Sequence, residues 1–459
     1  MTLELPGVPA EVDNTYVVAQ MLRRAASRSF RTWWTKVEDA GFCANPIHLA
    51  GTDNLGHEHQ VFTRCNNRRA IVCPSCSDLY ARDTWQLIHA GLHGGHHNIP
   101  VTVAEHPQVF VTLTGPSFGA VHTIRSSGSC QPRDAHRSRC EHQTRVSCET
   151  AHRNDDPELG QPLCGECYDY LGHVLFSWHA PELWRRFTIR LRRLLRQQLR
   201  VRAENPAATR VSFMKVVELQ RRGLPHFHAV IRLDAASELG QPPSAPDTSI
   251  TAVDLVALVR GAAPDIEITG AGGRTIRFGD QLDTKPIGCL YPGEAPHAGI
   301  SSRQIARYLA KYVTKSVADF GIGTRKFSPA AIDQLDVTDH VREILKTIVT
   351  LAEEEDYREV PSWVHTLGYR GHVMSKSRQF STTMTALREH RAAWRKDRAQ
   401  RGAGSASTQD DADASMQWEF ERVGHISLGD RVLVMSAFGR AREQRFAARN
   451  AMTERGLEP

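Results

Sequence analysis

Apolar positions come in runs of distinct period along this chain. Val17, Val18, Met21, Leu22 and Ala25 recur at helical spacing, so the first forty residues read as helix. A Cys- and His-containing loop region follows from Cys43 to Cys76, then a helix over about 78–92. Val109 to Thr114 is β-branched and bounded by Pro107 and Gly115-Pro116, which predicts a buried strand. From Ser129 to Cys167 the chain is polar and shows no hydrophobic period. Such a segment cannot bury enough surface to order itself without a staple. Pro181 to Glu204 predicts a helix, its stripe formed by Leu183, Phe187, Leu191, Leu194, Leu195 and Leu199. Val211–Leu219 and His226–Leu233 read as two strands, and Ser301–Val317 as another helix. Residues 391–416 read as a linker ending in a low-complexity run, and the tail beyond it carries a basic helix.

Composition narrows this little. The 459 residues are 41% hydrophobic and 24% charged, with a net charge of +6, which permits nucleic acid as a partner without implying it. No run approaches the roughly 18 uncharged apolar residues of a membrane span. The first residues, MTLELPGVPAEVDN, have neither the basic nor the apolar region of a secretory signal. The expectation is a cytoplasmic protein with reduced thiols and no membrane or small-molecule partner, so its ten cysteines need a purpose other than disulfides.

The chemistry concentrates in the run Lys215 to Leu233. His226 and His228, one residue apart on a strand, share a face. Gly223 and Pro225 turn the preceding strand back as a hairpin, placing Glu218 roughly opposite Phe227 and within a one-residue bulge of either histidine. Glu218, His226 and His228 then form a two-histidine, one-carboxylate set with open positions, suited to a divalent transition ion or to Mg²⁺. Taken alone, an HxH pair is more often part of a half-exposed strand. Downstream, Tyr308 and Tyr312 lie four apart on a helix, with Lys311 and Lys315 repeating that spacing. A free tyrosine has a pKa of about 10 and is a poor nucleophile at neutral pH. A nearby cation and lysines would favour the phenolate. Alone, the tyrosines read more readily as core aromatics on an amphipathic helix.

Together these elements resemble the HUH endonuclease superfamily, specifically plasmid and phage rolling-circle initiators. His226-Phe227-His228 is similar to its second motif, Tyr308-Leu-Ala-Lys311 to its third, and Phe110-Val-Thr-Leu-Thr114 to its first. The repeated YxxK, continuing through Tyr312-Val-Thr-Lys315, resembles initiators of small single-stranded DNA phages, which use both tyrosines. Further stretches, Arg68 to Cys76, Leu163 to Tyr170, Lys376 to Phe380 and Gly429-Asp430, resemble initiators of actinobacterial plasmids and integrative elements. The resemblance implies an α+β fold with a ferredoxin-like core, a central antiparallel sheet, zinc-binding insertions and helical ends. It also implies a 5′-phosphotyrosine intermediate, a 3′-hydroxyl primer, Mg²⁺ or Mn²⁺ at the site, and origin DNA, duplex and single-stranded, as substrate. Without a G-x-x-x-x-G-K-[ST] motif, unwinding would fall to a host helicase ahead of a host polymerase.

Two CxxC knuckles predict two structural Zn²⁺ ions. Cys73 and Cys76 take Cys43 and Cys65 as partners. Cys164 and Cys167 have Cys130, Cys140, Cys148 and His152 before them, and Cys140 and Cys148 are the preferred pair. Arg185, Arg186, Arg190 and Arg193 are candidate phosphate contacts, although such a face is often merely solvated. The expected division is an N-terminal helical segment (1–42), a zinc module (43–105), a nicking domain (106–390) with a zinc insertion at about 129–170, the linker, and a basic segment (417–459). Two other readings stand beside this one. A relaxase or transposase would use the same chemistry. A non-catalytic zinc-finger regulator would leave the histidines and tyrosines without a role.

Overall fold

The computed structural model describes the chain except residues 1–4, 10–11, 126–127, 132–138, 239, 289–300, 315–319, 321, 323–328, 404–416 and 455–459. The chain divides into two compact units: Met1–Asp83 with Met384–Pro459, and Thr84–Thr383. The segments 1–42 and 417–459 and the cysteines Cys43 to Cys76 fall in the first unit, and residues 84–105 fall in the second. No helix among the described residues is long and apolar enough to cross a membrane.

In the outer unit, helices α1 (Asn14–Ala25) and α2 (Phe30–Asp39) precede the hairpin β1 (Ile47–Thr52) and β2 (Glu58–Thr63). Helix α3 (Pro74–His93) begins here and runs on into the central unit.

The central unit is built on β3 (Gln108–Leu113), α4 (Tyr170–Val201), β4 (Thr209–Leu219), β5 (Pro225–Ala235), α5 (Ala252–Ala262), the short pair β6 (Glu267–Thr269) and β7 (Thr275–Arg277), and β8 (Leu282–Ile287). Helices α6 (Ser302–Tyr312) and α7 (Asp339–Leu351) and strand β9 (Met374–Lys376) follow. The five-stranded sheet has the order β8-β3-β5-β4-β9 and is antiparallel throughout. Reduced to β3-α4-β4-β5-α5-β8, the path is β-α-β-β-α-β, with the first and third strands side by side in the middle.

Both faces of this sheet are covered, which explains why β5 is buried at almost every position. Val109, Val111, Leu113, Phe227, Ala229, Ile231 and Leu233 point into the main core beside Leu183, Phe187, Leu191 and Leu195 of α4 and Leu255 and Val259 of α5. The alternate residues form the opposite face, where α6 lies with Ile305, Ala306, Leu309 and Ala310 buried.

Helix α4 starts eleven residues before Pro181, capped by Asp169, whose side chain accepts from the Gly172 amide. The sequence reading takes Pro181 as a helix start. Here the proline lies inside the helix, and the turns before it, Val174 to Trp178, are buried on every side, so no amphipathic stripe marks them. The outer unit is completed by α8 (Met384–Ala403), β10 (Gln417–Val423) and α9 (Leu428–Glu454). Residues 391–403, expected as linker, are therefore helical. Strand β10 joins β1 and β2 in the order β10-β1-β2, and Arg24 of α1 pairs with Asp430 of α9 at 2.8 Å.

Candidate active site and metal centres

The hairpin β4–β5 sets the site. Glu218 stands directly opposite His226, with Val216 opposite His228. The expected register placed Glu218 against Phe227. The difference comes from the turn, which closes symmetrically about Arg222, with the Gln220 amide donating to the Leu224 carbonyl and Gly223 at φ +81°. No bulge is needed, and Glu218, His226 and His228 all lie on the α6 face.

On that face, Glu218 Oε2 is 3.5 Å from His228 Nε2. The rings of His226 and His228 sit 4.6 Å apart between centroids. Each imidazole is held from β3: Thr112 Oγ1 lies 3.2 Å from His228 Nδ1, and Thr114 Oγ1 3.0 Å from His226 Nδ1. With both Nδ1 atoms engaged, the Nε2 atoms are the nitrogens turned to the site, the arrangement by which a second partner orients a metal-ligating histidine. Burial and the neighbouring His228 hold His226 down at about 4, so it is the neutral donor that a metal requires. The trio is open, and it is not among the groups whose ligand atoms all fall within 4.8 Å of one another.

Helix α6 brings both tyrosines to the same place. It begins with a capping box in which Ser301 and Gln304 exchange side-chain and backbone bonds. Tyr308 is 41% exposed, and its hydroxyl lies 3.4 Å from His228 Nε2. Tyr312 stacks on His228 at 5.4 Å and meets Tyr308 at 4.8 Å. Burial, above all, raises both phenols, and the charge of Glu218 adds to it. A divalent ion held by Glu218 would reverse that carboxylate's effect. Lys311 Nζ sits 5.8 Å over the Tyr312 ring. Lys315 lies outside the described residues.

Sequence reasoning missed three members of this face. Thr112 and Thr114 were visible only as part of the first motif. Asp283 of β8, opposite Thr112 and adding to the charge that raises Tyr308, carries no motif signal at all.

The cysteines form three groups among the described residues, not two. Cys43, Cys65, Cys73 and Cys76 converge as expected, with Cys43 Sγ 3.7 Å from Cys73 Sγ and 3.6 Å from Cys76 Sγ. A tetrahedron of sulfurs at about 2.3 Å from zinc has edges of roughly 3.8 Å, so this set fits the ion. Amides of Ala44 and Cys65 donate to Cys73 and Cys43, as suits thiolates. Cys164 and Cys167 meet Cys140 and His142 rather than Cys148. Cys148 is drawn away because it pairs by backbone bonds with Gln131, which puts it beside Cys130. His122, Cys130, Cys148 and His152 make the third group.

The arginine face of α4 is largely engaged within the protein. Arg185 and Arg186 pair with Glu182, and Arg190 with Asp265 at 2.6 Å. Arg193 is exposed. Exposed pairs of this kind contribute little stability, but they leave fewer free cations for phosphate than the sequence suggests.

Residues 29–438 match the family described as "RepSA: Replication initiator protein, pSAM2". The chain belongs to this family of replication initiators. It is 37% identical over 480 residues to a "Replication initiator protein" of Streptomyces ambofaciens, an alignment covering 97% of this chain and 98% of that one. No solved structure matches. The family places the chain among actinobacterial plasmid initiators and is in keeping with DNA as its partner.

Proposed function

We propose that this initiator nicks one strand of its origin by tyrosine transesterification on an HUH-type site, leaving a 3′-hydroxyl that primes rolling-circle synthesis. The observation that carries this reading is the approach of the Tyr308 hydroxyl to His228 Nε2, 3.4 Å, on the face that also holds Glu218 and His226. The β-α-β-β-α-β path of the central unit, which is the ferredoxin-like order, supports it.

Glu218 Oε2 and the Nε2 atoms of His226 and His228 are the donors that would hold Mg²⁺ or Mn²⁺. When bound, the ion supplies charge that polarises the scissile phosphate. Thr112 and Thr114 keep the imidazoles aimed at that position. Tyr308, losing its proton, attacks phosphorus through its phenolate oxygen. The bond from phosphorus to the 3′ oxygen breaks, that oxygen takes a proton, and the 5′ phosphate stays on the tyrosine. Tyr312, 4.8 Å away between ring centroids, would then cut the regenerated origin, and the 3′-hydroxyl freed there would attack the phosphotyrosine at Tyr308 and release that phenol. Lys311 lies close enough to favour phenolate at Tyr312. Host helicase and polymerase would then extend the primer. The groups built on the two CxxC knuckles, Cys43–Cys65–Cys73–Cys76 and Cys140–His142–Cys164–Cys167, would act as structural zinc sites.

The test is incubation with supercoiled plasmid bearing the element's own origin and Mn²⁺, read on denaturing gels. A nick with protein attached to the 5′ end, reduced at least 100-fold in Tyr308→Phe and absent in Tyr308→Phe/Tyr312→Phe, is the expected result. Origin bound but uncut with every metal would instead favour a zinc-dependent binding regulator.

A further inference from the structure

The insertion between β3 and α4 contains a group of converging donor side chains that the cysteine spacing did not reveal. His122 Nδ1 and His152 Nε2 are 3.0 Å apart, Cys148 Sγ is 3.3 Å from His152 Nε2, and Cys130 Sγ is 4.0 Å from His122 Nδ1. All four ligand atoms lie within 4.8 Å of one another, separate from the Cys140–His142–Cys164–Cys167 group. His152 and Cys130 are almost fully buried. The Thr123 amide donates to Cys130 Sγ at 3.1 Å, stabilising a thiolate. The other nitrogen of His152, Nδ1, meets Asp156 Oδ2 at 2.6 Å, which aims Nε2 inward, as a carboxylate does behind a zinc-bound histidine. Two thiolates and two imidazoles closed around one point, in a polar segment with almost no core, make a structural zinc site.

This group also reaches the active-site turn. His122 exchanges backbone bonds with the following segment, its amide donating to Gln161 and its carbonyl accepting from Gly160. Just past His152, the Asn154 carbonyl accepts a hydrogen bond from the Arg221 guanidinium. Gly160, at φ +85°, lies so close to the turn that a Cβ there would be 2.5 Å from the Arg221 carbonyl carbon. Arg221 sits in the turn between Glu218 and His226.

We propose that His122, Cys130, Cys148 and His152 bind a third structural zinc ion, and that this ion clamps segment 153–161 onto the turn at 220–223. The zinc assignment stands apart from the nicking chemistry. It is tested by native mass spectrometry of the full chain carrying His226→Ala and His228→Ala, so that the nicking site contributes no ion. Three zinc ions per chain are expected, two on adding Cys148→Ser, and three again on adding Cys148→His, which restores a donor. Two ions in the parent overturn the proposal. Hydrogen exchange tests the clamp: the amides of Gln220 and Gly223 should exchange at least tenfold faster with Cys148→Ser and recover with Cys148→His. Unchanged exchange after loss of the ion refutes the clamp. Should Cys148→Ser fail to fold, Asp156→Asn keeps all four ligands, and it should release one of three ions to a chelator faster than the parent does. Equal release of all three would overturn the site.

Discussion

Thr112 and Thr114 are ordinary strand residues except for where their hydroxyls end, on the Nδ1 atoms of the two histidines. Replacing Thr112 by valine keeps the β-branched shape and removes only the bond to His228. Such outer partners typically contribute 10–100-fold to metal affinity. Thr112→Val should therefore raise the Mn²⁺ concentration for half-maximal nicking by that order, with the fold unchanged by circular dichroism. An unshifted metal dependence would remove Thr112 from the mechanism. A different residue contributes to acid sensitivity. His340 is 2% exposed, donates from Nε2 to the Arg222 carbonyl, and is faced by Tyr168, Tyr170, His173 and Arg222. Burial holds it down at about 4, below its ordinary value of about 6.5. Its contribution is thus complete above pH 6.5 and is lost as pH falls towards 4, because the unfolded chain binds the proton first. The loss amounts to up to about 3 kcal/mol. Urea midpoints at pH 7.5 and pH 5 should differ, and by less in His340→Gln. At this scale the sequence was informative where chemistry has fixed spacing, as in His226-Phe-His228 and Cys73-x2-Cys76. It was uninformative for Cys148, whose partner depends on backbone pairing with Gln131 inside a segment without period.

Among the elements, the turn from Gln220 to Leu224 has the most consequence, because one residue of slip would move Glu218 to the other face. Gly223 makes the turn possible at φ +81°, and a Cβ there would also come within 2.7 Å of Leu367 Cδ1. Gly223→Ala should cost roughly 1–2 kcal/mol of the central unit's stability through backbone strain, read as a lower urea midpoint. No shift in midpoint would mean that the turn relaxes freely. The strands β3, β4 and β5 and helix α6 were legible because β-branched runs bounded by Pro and Gly, or a Ser cap before periodic residues, state their own limits. The first turns of α4 were not, since a helix buried all round has no stripe. Strands β1, β2 and β10 were not legible either: β2 and β10 are largely exposed, and β10 gains its pairing from β1, far back along the chain.

Taken as a whole, the chain begins and ends in the same unit. Its apolar residues gather in two small clusters, one around Cys43, Cys73 and Cys76 with Met435 of α9 against it and one of Trp33, Val37 and Val434, and β10 forms one edge of its only described sheet. A unit so poor in core depends on its staples. Truncation after residue 416 removes β10 and α9, and should leave residues 1–83 open to limited proteolysis while 84–383 persists as a resistant fragment. Equal resistance of both fragments would show that the outer unit stands without its C-terminal half.

Because the outer unit is interrupted by the central one, its order of manufacture is fixed. Translation delivers the first half of the outer sheet, then every strand of the central sheet, and only at the end the strand that β1 awaits. The strands of the central sheet are all made before β10, whereas the outer sheet cannot be completed until β10 is made. A chain abandoned before Gln417 thus carries a completed middle and an unpaired β1 edge, a state that proteases can recognise.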